Sequence, residues 1–233
     1  MGCASGYIIE KPVHSVMLSA FRMAATPVTV AVWKEYCAAT GTKLPAAPSW
    51  GLLDDHPVVN VSWNDIMGSD GKGGFCAWAS DIAGFRLTLP TEAQFEYAAR
   101  GGQSWLEYPW GNGFDDSKVW CSKSNDRKST APVTRSSNVY RYHPYGLTDM
   151  SGNVLQWCYD VHGLYSSSAQ KDPIGDIPRF EYSLLWVGNY HNVRGGSWEY
   201  DGEPHLLRCA RRDFRRRETT SADLGFRLAT GPG

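Results

Sequence analysis

Residues 192–198 read Asn-Val-Arg-Gly-Gly-Ser-Trp and residues 224–228 read Leu-Gly-Phe-Arg-Leu, two stiff motifs that each contain an aromatic anchor. Between them, residues 199–223 are polar and crowded with arginine, and they follow neither the helical nor the strand period. A segment with fixed ends and no folding period of its own is typical of a scaffold that presents a surface. We call residues 199–223 the C-terminal segment.

The composition indicates a folded, loop-rich chain. The 233 residues are 42% hydrophobic, which supports a real core, and they include 10 tryptophans and 24 glycines, which indicate many tight turns. No apolar run approaches the length of a membrane-spanning helix, so the sequence predicts no membrane span.

The cysteines show no paired spacing. They are Cys3, Cys37, Cys76, Cys121, Cys158 and Cys209. Without a Cys-x-x-Cys pair, a zinc site or a dithiol redox motif is disfavoured, and we expect buried thiols rather than a disulfide framework. The first six residues carry no apolar signal core, and Cys3 is open to a second interpretation as the remnant of a lipoprotein cysteine.

Capping signals predict helices in the first hundred residues. Thr29 stands at an N-cap position before apolar residues at helical spacing, and Gly41 marks the end of that helix. Ser62 begins a second helix. Thr91 forms a capping box with the glutamine three residues later, which predicts a helix over residues 92–100.

Early strand patterns are short. Apolar alternation predicts a strand within residues 12–23 and another at residues 58–62. The glycine-rich insert at residues 68–74 must loop out before a helical pattern resumes at Phe75.

Helical periodicity disappears from Gly101 onward. Brief strand patterns remain at residues 193–198, 206–210 and 225–229. Helices that are concentrated early and irregular, β-rich structure that follows late favour one α+β domain.

The expected boundaries follow from these patterns. We assign residues 12–229 to a single domain, whose candidate variable region is residues 199–223. Residues 1–11 and 230–233 are then short tails.

Seven ordered motifs resemble one protein family. They are Pro-Val-His at residues 12–14 with Thr-Pro-Val-Thr at 26–29, His-Pro-Val-Val-Asn-Val-Ser-Trp at 56–63, Leu-Pro-Thr-Glu-Ala-Gln-Phe-Glu-Tyr-Ala-Ala-Arg-Gly-Gly at 89–102, Tyr-Pro-Trp-Gly at 108–111, Tyr-Gly-Leu-Thr-Asp-Met-Ser-Gly-Asn-Val at 145–154, and the two motifs quoted first. This pattern resembles the formylglycine-generating-enzyme (sulfatase-modifying factor) domain, a variant of the C-type lectin fold. The resemblance runs from about residue 12 to residue 228 and implies an α+β fold with few helices and much irregular structure. It does not decide function.

The family's oxidase chemistry is not supported by the residues of this chain. The resemblance implies a copper-dependent oxidase with two cysteines shortly after the Gly-Gly-Ser-aromatic motif, because soft thiolates hold Cu(I) well. Here Tyr200 stands where the first cysteine belongs, and no cysteine follows before Cys209. The histidine spacing of the family's iron-dependent sulfoxide synthases is absent as well. We predict no enzymatic activity; the alternatives are a metal-dependent oxidoreductase of the family type and a structural accessory domain.

Calcium is the one ion that the resemblance brings into question. In the family, Asn153, a backbone carbonyl such as that of Val154, and a glutamate before the tryptophan would supply oxygen ligands. This chain has Gln156 in place of that glutamate, which is a neutral and weaker donor. We therefore expect no cofactor, and a polar turn held by side-chain hydrogen bonds is the alternative to a calcium site.

The C-terminal segment is similar to the variable region of proteins from diversity-generating retroelements. Several of those proteins share this fold subclass, and their variable region lies between the same two motifs. Mutagenesis of asparagine codons there never yields Glu, Lys, Gln, Met or Trp. Residues 199–223 contain no Lys, Gln, Met, Trp or Asn, whereas Glu199, Glu203 and Glu218 would have to be fixed by the template.

The residue types of the segment favour a protein ligand. Exposed Tyr, Phe and Arg supply binding energy at protein interfaces, and Tyr with small neighbours is typical of antibody-like surfaces. We expect Trp198, Gly225 and Phe226 to hold this face rigid, and a location on a cell surface or a phage particle if the segment is displayed. The candidate contact residues are Tyr200, Asp201, Gly202, His205, Leu206, Arg211, Asp213, Phe214, Arg215 and Arg216.

Six arginines cluster within ten residues of the segment. They are Arg208, Arg211, Arg212, Arg215, Arg216 and Arg217. Phosphates would be attracted to such a cluster, but the formal net charge is −1 and no nucleic-acid motif accompanies it. We expect solvated or acid-paired arginines rather than a nucleic-acid partner.

Overall fold

The computed structural model describes residues 1–69, 71, 73–122, 128–133, 143–174, 189–200 and 203–231. In this part of the chain the fold is α+β. The helices are α1 (Val30–Thr40), α2 (Trp63–Met67), α3 (Gly74–Ala83) and α4 (Glu92–Ala99). The strands are β1 (Val16–Met17), β2 (Leu155–Val161), β3 (Gln170–Lys171), β4 (Tyr190–Arg194), β5 (Asp213–Arg216) and β6 (Leu224–Gly225). Single 3-10 turns occur at Ile8–Glu10, Asp116–Lys118 and Pro204–Leu207.

The helix ends follow the predicted capping signals. The Thr29 hydroxyl accepts a hydrogen bond from the Val32 N–H, and Gly41 ends α1 in the left-handed region at φ 73°. The Ser62 side chain begins α2 within a capping box, and Thr91 begins α4 in the same way. The helical predictions are therefore confirmed.

The strand predictions are partly wrong. Within residues 12–23 only Val16–Met17 is a strand. Residues 58–62 are mostly buried but form no strand, because Asn60 adopts the left-handed region at φ 59° and interrupts the extended backbone. Residues 206–210 form no strand either. A 3-10 helix begins at Pro204, and residues 206–210 cover its end and the turn that follows it.

One mixed sheet positions the C-terminal segment. Its strand order is β5-β4-β2-β6, with β4 antiparallel to both β2 and β5, and β6 parallel to β2. The main core lies against this sheet, where the Trp33 ring stacks on Phe75 at 5.1 Å and Phe226 meets both edge-on. β5 lies at the edge of the sheet among the described strands.

The first eleven residues, which we expected to be a tail, pack into the fold. Glu10 is fully buried and receives the guanidinium of Arg208. At the other end, the Thr230 N–H donates to the Arg22 carbonyl at 2.9 Å. The structured region therefore extends beyond the expected boundaries on both sides, because long-range polar contacts hold residues that have no periodic pattern.

The cysteines are free thiols, and five of the six are buried, with Cys3 partly exposed. This confirms the expectation of buried thiols. None of the helices in the described ranges combines the length and the apolar character needed to cross a membrane.

Candidate functional site

The two ends of the C-terminal segment are held next to each other. Trp198 Nε1 donates to the carbonyl oxygen of Ala222 at 3.2 Å. Beyond Ala222, the Phe226 side chain is fully buried, and a Cβ added at Gly225 would come within 2.6 Å of a backbone carbonyl oxygen. Only glycine fits there, so both flanks are fixed by packing.

Arg194 binds the backbone in the middle of the C-terminal segment. Its guanidinium is buried and donates to the carbonyl oxygens of Cys209 at 2.9 Å and Ala210 at 3.1 Å. The same guanidinium donates to the Glu96 carboxylate at 2.5 Å, which compensates the buried charge. The arginine of the Arg-Gly-Gly-Ser motif therefore has a structural role.

Two arginines of the segment itself are buried and paired. Arg208 donates to both carboxylate oxygens of Glu10, at 2.9 and 2.8 Å. Arg212 donates to both oxygens of Glu92, at 2.6 and 2.8 Å, and its guanidinium lies 3.8 Å from the centre of the Tyr165 ring. Such bidentate pairs are the strong form of the interaction. At these two positions, the predicted acid pairing of the arginine cluster is confirmed.

The buried carboxylates beneath the segment have opposite pKa shifts. Burial raises the pKa of Asp160 to about 7, and the nearby Glu92 carboxylate adds to the rise. Burial also opposes ionisation of Glu96, but the Arg194 and Arg100 guanidiniums outweigh it and hold that pKa at about 2. Glu96 is therefore charged at neutral pH, whereas Asp160 titrates there.

Tyr200 is a partly buried anchor at the start of the segment. Its ring packs against the main core and against a smaller cluster that contains Leu207. Gly196 makes room for this approach, because a Cβ there would lie 2.7 Å from Leu207 Cδ2 and 3.2 Å from Tyr200 Cδ2. Burial raises the pKa of the Tyr200 hydroxyl to about 12.

Arg211 and His205 meet on a residue that the sequence analysis missed. The Arg211 guanidinium carbon lies 5.2 Å from the centre of the Tyr7 ring, and the His205 ring centroid lies 5.7 Å from that of Tyr7. Arg211 is also 3.9 Å from an oxygen of Asp213. No periodic or motif signal in residues 1–11 marks Tyr7, since only the folded chain brings it here.

The alternation of β5 divides four candidate residues between two sides of the sheet. Asp213 and Arg215 form an ion pair of 2.9 Å on one side. On the other side, the Phe214 ring stacks on His162 with centroids 4.1 Å apart, and the Arg216 guanidinium lies 5.9 Å from the centre of the Tyr190 ring. Successive side chains of a strand point to opposite faces, so the four residues cannot act as one patch.

The candidate residues therefore form two patches. The first patch consists of Tyr200, His205, Arg211, Asp213 and Arg215, together with Tyr7. The second patch consists of Phe214 and Arg216, together with His162 and Tyr190. Leu206 is partly buried in the 3-10 helix at Pro204–Leu207, and Asp201 and Gly202 lie outside the described residues.

Two of the three proposed calcium ligands, Asn153 and Gln156, are engaged with other groups. The Asn153 side-chain oxygen accepts the Ala131 N–H at 2.9 Å, and Val154 is fully buried beside it. The Gln156 side-chain oxygen accepts Arg227 Nε at 2.6 Å. Because a guanidinium already places positive charge at that oxygen, these residues do not fit a calcium ion.

The family's thiol chemistry has no obvious counterpart here. Cys209 lies in a turn, is buried, and burial raises its pKa to about 12. A thiol with such a pKa is a poor nucleophile and a poor metal ligand at neutral pH. Across the described residues, no group of three or more His, Cys, Asp or Glu side chains is placed to hold a metal ion.

Comparison with known proteins gives a consistent family. The family model described as "Sulfatase-modifying factor enzyme 1-like domain" matches residues 1–231. The formylglycine-generating enzyme of Thermomonospora curvata is 31% identical over 98% of this chain and 76% of its own length. The inactive C-alpha-formylglycine-generating enzyme 2 of Mus musculus is 33% identical over 89% of this chain and 57% of its own length.

Other matches place the chain in a wider context. It is 31% identical over 99% of its length to the serine/threonine-protein kinase pkn1 of Chlamydia caviae, but it spans only 36% of that relative. Among solved structures, Treponema denticola variable protein 1 superposes with a TM-score of 0.76 at 24% identity, covering 99% of this chain and 91% of the other. The similarity to that structure confirms the expected C-type-lectin-like α+β fold, and at this identity it bears on fold alone.

Proposed function

The chain belongs to the sulfatase-modifying factor enzyme 1-like domain family, and on that premise we propose that it is a non-catalytic protein that binds a protein ligand through its C-terminal segment. The observation that carries this proposal is the state of Tyr200. It stands where the family oxidase has its first cysteine, and its ring is packed against two core clusters. The position that would hold a metal-binding thiol is thus part of the packing.

The cysteine that follows the Gly-Gly-Ser-Trp motif supports the same conclusion. Cys209 is the first cysteine after the Gly-Gly-Ser-Trp motif, yet it is buried and its pKa lies near 12. One protonated, buried thiol cannot form the pair that Cu(I) requires. A relative whose name records loss of activity, the murine protein at 33% identity, is compatible with this proposal.

The C-terminal segment contains both buried structural residues and exposed residues, which favours a role in binding. Arg208 and Arg212 form buried ion pairs, whereas His205 and Arg216 are exposed. Fixed positions thus alternate with accessible ones over a short stretch. Aromatic and arginine side chains on a rigid support are the residues that contribute most to protein interfaces.

We further propose that the segment is diversified, as in the variable proteins of diversity-generating retroelements. The composition of residues 199–223 and their place between two fixed motifs support this proposal. Such a protein would act on a cell surface or a phage particle. The candidate positions for diversification are the residues of the two patches that lie within 199–223, together with Asp201, Gly202 and Leu206.

Population sequencing of the 3′ end of the gene tests this proposal. We expect substitutions at the candidate positions, with the codons of Trp198, Arg208, Arg212 and Phe226 unchanged. A uniform sequence in all cells would contradict diversification, although binding by a fixed surface would remain testable. Substitutions spread evenly over the flanks as well would indicate ordinary drift.

A metal-dependent oxidoreductase is the second candidate, because the relative from Thermomonospora curvata carries the enzyme's name. Metal analysis of the purified protein distinguishes the two proposals. Stoichiometric copper or iron that survives gel filtration would favour the oxidoreductase. A structural accessory domain would show neither bound metal nor diversity at the C-terminal segment.

A further inference from the structure

Among the described strands, β5 lies at the edge of the mixed sheet, and its register shows which of its backbone groups face away from β4. The Arg217 N–H donates to the Asn189 carbonyl at 2.8 Å, so these two residues form a hydrogen-bonded antiparallel pair. Hydrogen-bonded pairs recur at every second residue, so Arg215 and Asp213 also form such pairs with β4. Phe214 lies between these two residues and therefore pairs with Asn192 without hydrogen bonds. The N–H and C=O of Phe214 therefore point away from β4, toward the side of β5 on which no described strand pairs.

Side chains of β5 itself occupy both of these outward groups. The Asp213 carboxylate accepts the Phe214 N–H at 2.8 Å, and Arg215 Nη1 donates to the Phe214 carbonyl at 2.9 Å. The two side chains are joined to each other by an ion pair of 2.9 Å. The backbone of Phe214 is thus closed off by its two neighbours in sequence.

An unprotected β5 would suit a second copy of this chain. Two antiparallel copies related by a two-fold axis at Phe214 would exchange both Phe214 hydrogen bonds, since outward-facing residues form the bonded pairs. Asp213 of one copy would then lie opposite Arg215 of the other, which is an attractive arrangement. The strand is therefore self-complementary in both hydrogen bonds and charge.

We propose that Asp213 and Arg215 form an edge guard, which prevents two copies of this chain from pairing through β5 by occupying the outward backbone groups of Phe214. Charged side chains are a known way of blunting an edge strand. This inference rests on the sheet register and on two side chains, and it implies that Asp213 and Arg215 are kept even if the other candidate positions are diversified. It also assigns Asp213 and Arg215 a role that binding of a ligand would not require.

The double variant Asp213→Ala/Arg215→Ala tests the guard. We expect the wild-type protein to sediment as a monomer and the double variant to self-associate as its concentration rises. The matched control is Arg217→Ala/Glu218→Ala, which removes a neighbouring ion pair of 3.4 Å with the same net change in charge. The control variant should remain monomeric.

Amide exchange at Phe214 tests the guard without relying on association. In dilute solution, Asp213→Ala should speed exchange of the Phe214 N–H by about fivefold, the effect of losing one hydrogen bond of ordinary strength. Asp213→Asn keeps an acceptor oxygen and should leave the rate unchanged. The proposal is overturned if the double variant stays monomeric at high concentration, if Phe214 exchange does not respond to Asp213→Ala, or if the wild-type protein already dimerises through β5.

Discussion

The indole Nε1 of Trp198 donates a hydrogen bond to the carbonyl oxygen of Ala222 across 24 positions of sequence, at 3.2 Å. Trp198 opens the irregular stretch and Ala222 nearly closes it, so one bond joins both ends. This bond holds the entry and the exit of the stretch together without using a side chain from between them.

Replacement of Trp198 should therefore reduce stability more than replacement of exposed residues between the ends. For Trp198→Ala we expect a loss of about 3 kcal/mol in the free energy of unfolding, since a large ring that packs on Trp50 is removed. Arg216→Ala, at an exposed position, should stay within about 0.5 kcal/mol of wild type. Urea unfolding measures both. Equal losses of unfolding free energy for the two variants would show that Trp198 does not stabilise the fold more than an exposed residue of the segment does.

Arg212 should be indispensable to stability although it belongs to the candidate variable region. Arg212→Met leaves the Glu92 carboxylate buried without its bidentate partner, and we expect a loss of about 3–5 kcal/mol. Adding Glu92→Gln should recover part of that loss, because the uncompensated charge disappears. Unfolding of the two single variants and the double variant gives the coupling energy. Additive losses would mean that the pair is not coupled.

Asp160 should make stability fall as the pH rises toward neutrality. Its folded pKa of about 7 lies above the ordinary value of 3.8, so the folded chain holds a proton that the unfolded chain has already released. The stabilising contribution is present below the ordinary value and is lost as the pH rises through 7. Relative to Asp160→Asn, wild-type stability should fall by at most about 1.4 kcal/mol per pH unit across this window. A difference in unfolding free energy between the two proteins that is the same at every pH would refute the raised pKa of Asp160.

Thiol reactivity should separate Cys3 from the other cysteines. In the native protein we expect Ellman's reagent to modify Cys3 readily, because it alone is partly exposed, while the five buried thiols react only on unfolding. Burial raises the pKa of Cys76 and of Cys209 to about 12, which slows them further. Cys3→Ser is the control and should abolish the fast phase. A fast phase that persists in this variant would place a reactive thiol elsewhere.

Calcium should not stabilise the protein. Gln156 already accepts Arg227 Nε at 2.6 Å, so an ion would have to displace a buried guanidinium. Melting curves with added calcium and with a chelator should coincide. Gln156→Glu should behave alike, since the new carboxylate would pair with Arg227. A rise in melting temperature with calcium that Asn153→Ala abolishes would establish the site after all.

Local signals in the sequence were sufficient for the helices and for the flanks of the segment. Thr29, Ser62 and Thr91 begin helices because a side-chain oxygen satisfies a backbone donor only a few residues away, and that requirement is written in adjacent residues. The strand predicted at residues 58–62 does not form, because Asn60 adopts a left-handed conformation that the apolar pattern around it does not indicate.

The candidate site was less predictable, because its decisive contacts are distant in sequence. Arg208 pairs with Glu10 across 198 residues and Arg212 pairs with Glu92 across 120. Nothing near either arginine distinguishes it from the exposed Arg216. Likewise, Tyr7 joins Arg211 and His205 only in the folded chain.

The pair formed by Glu10 and Arg208 also dictates an order of events during synthesis. Glu10 is synthesised 198 residues before its partner Arg208. Until then its carboxylate must stay in water, since burying it alone would be costly. The 3-10 turn that contains Glu10 therefore docks only after Arg208 has emerged from the ribosome.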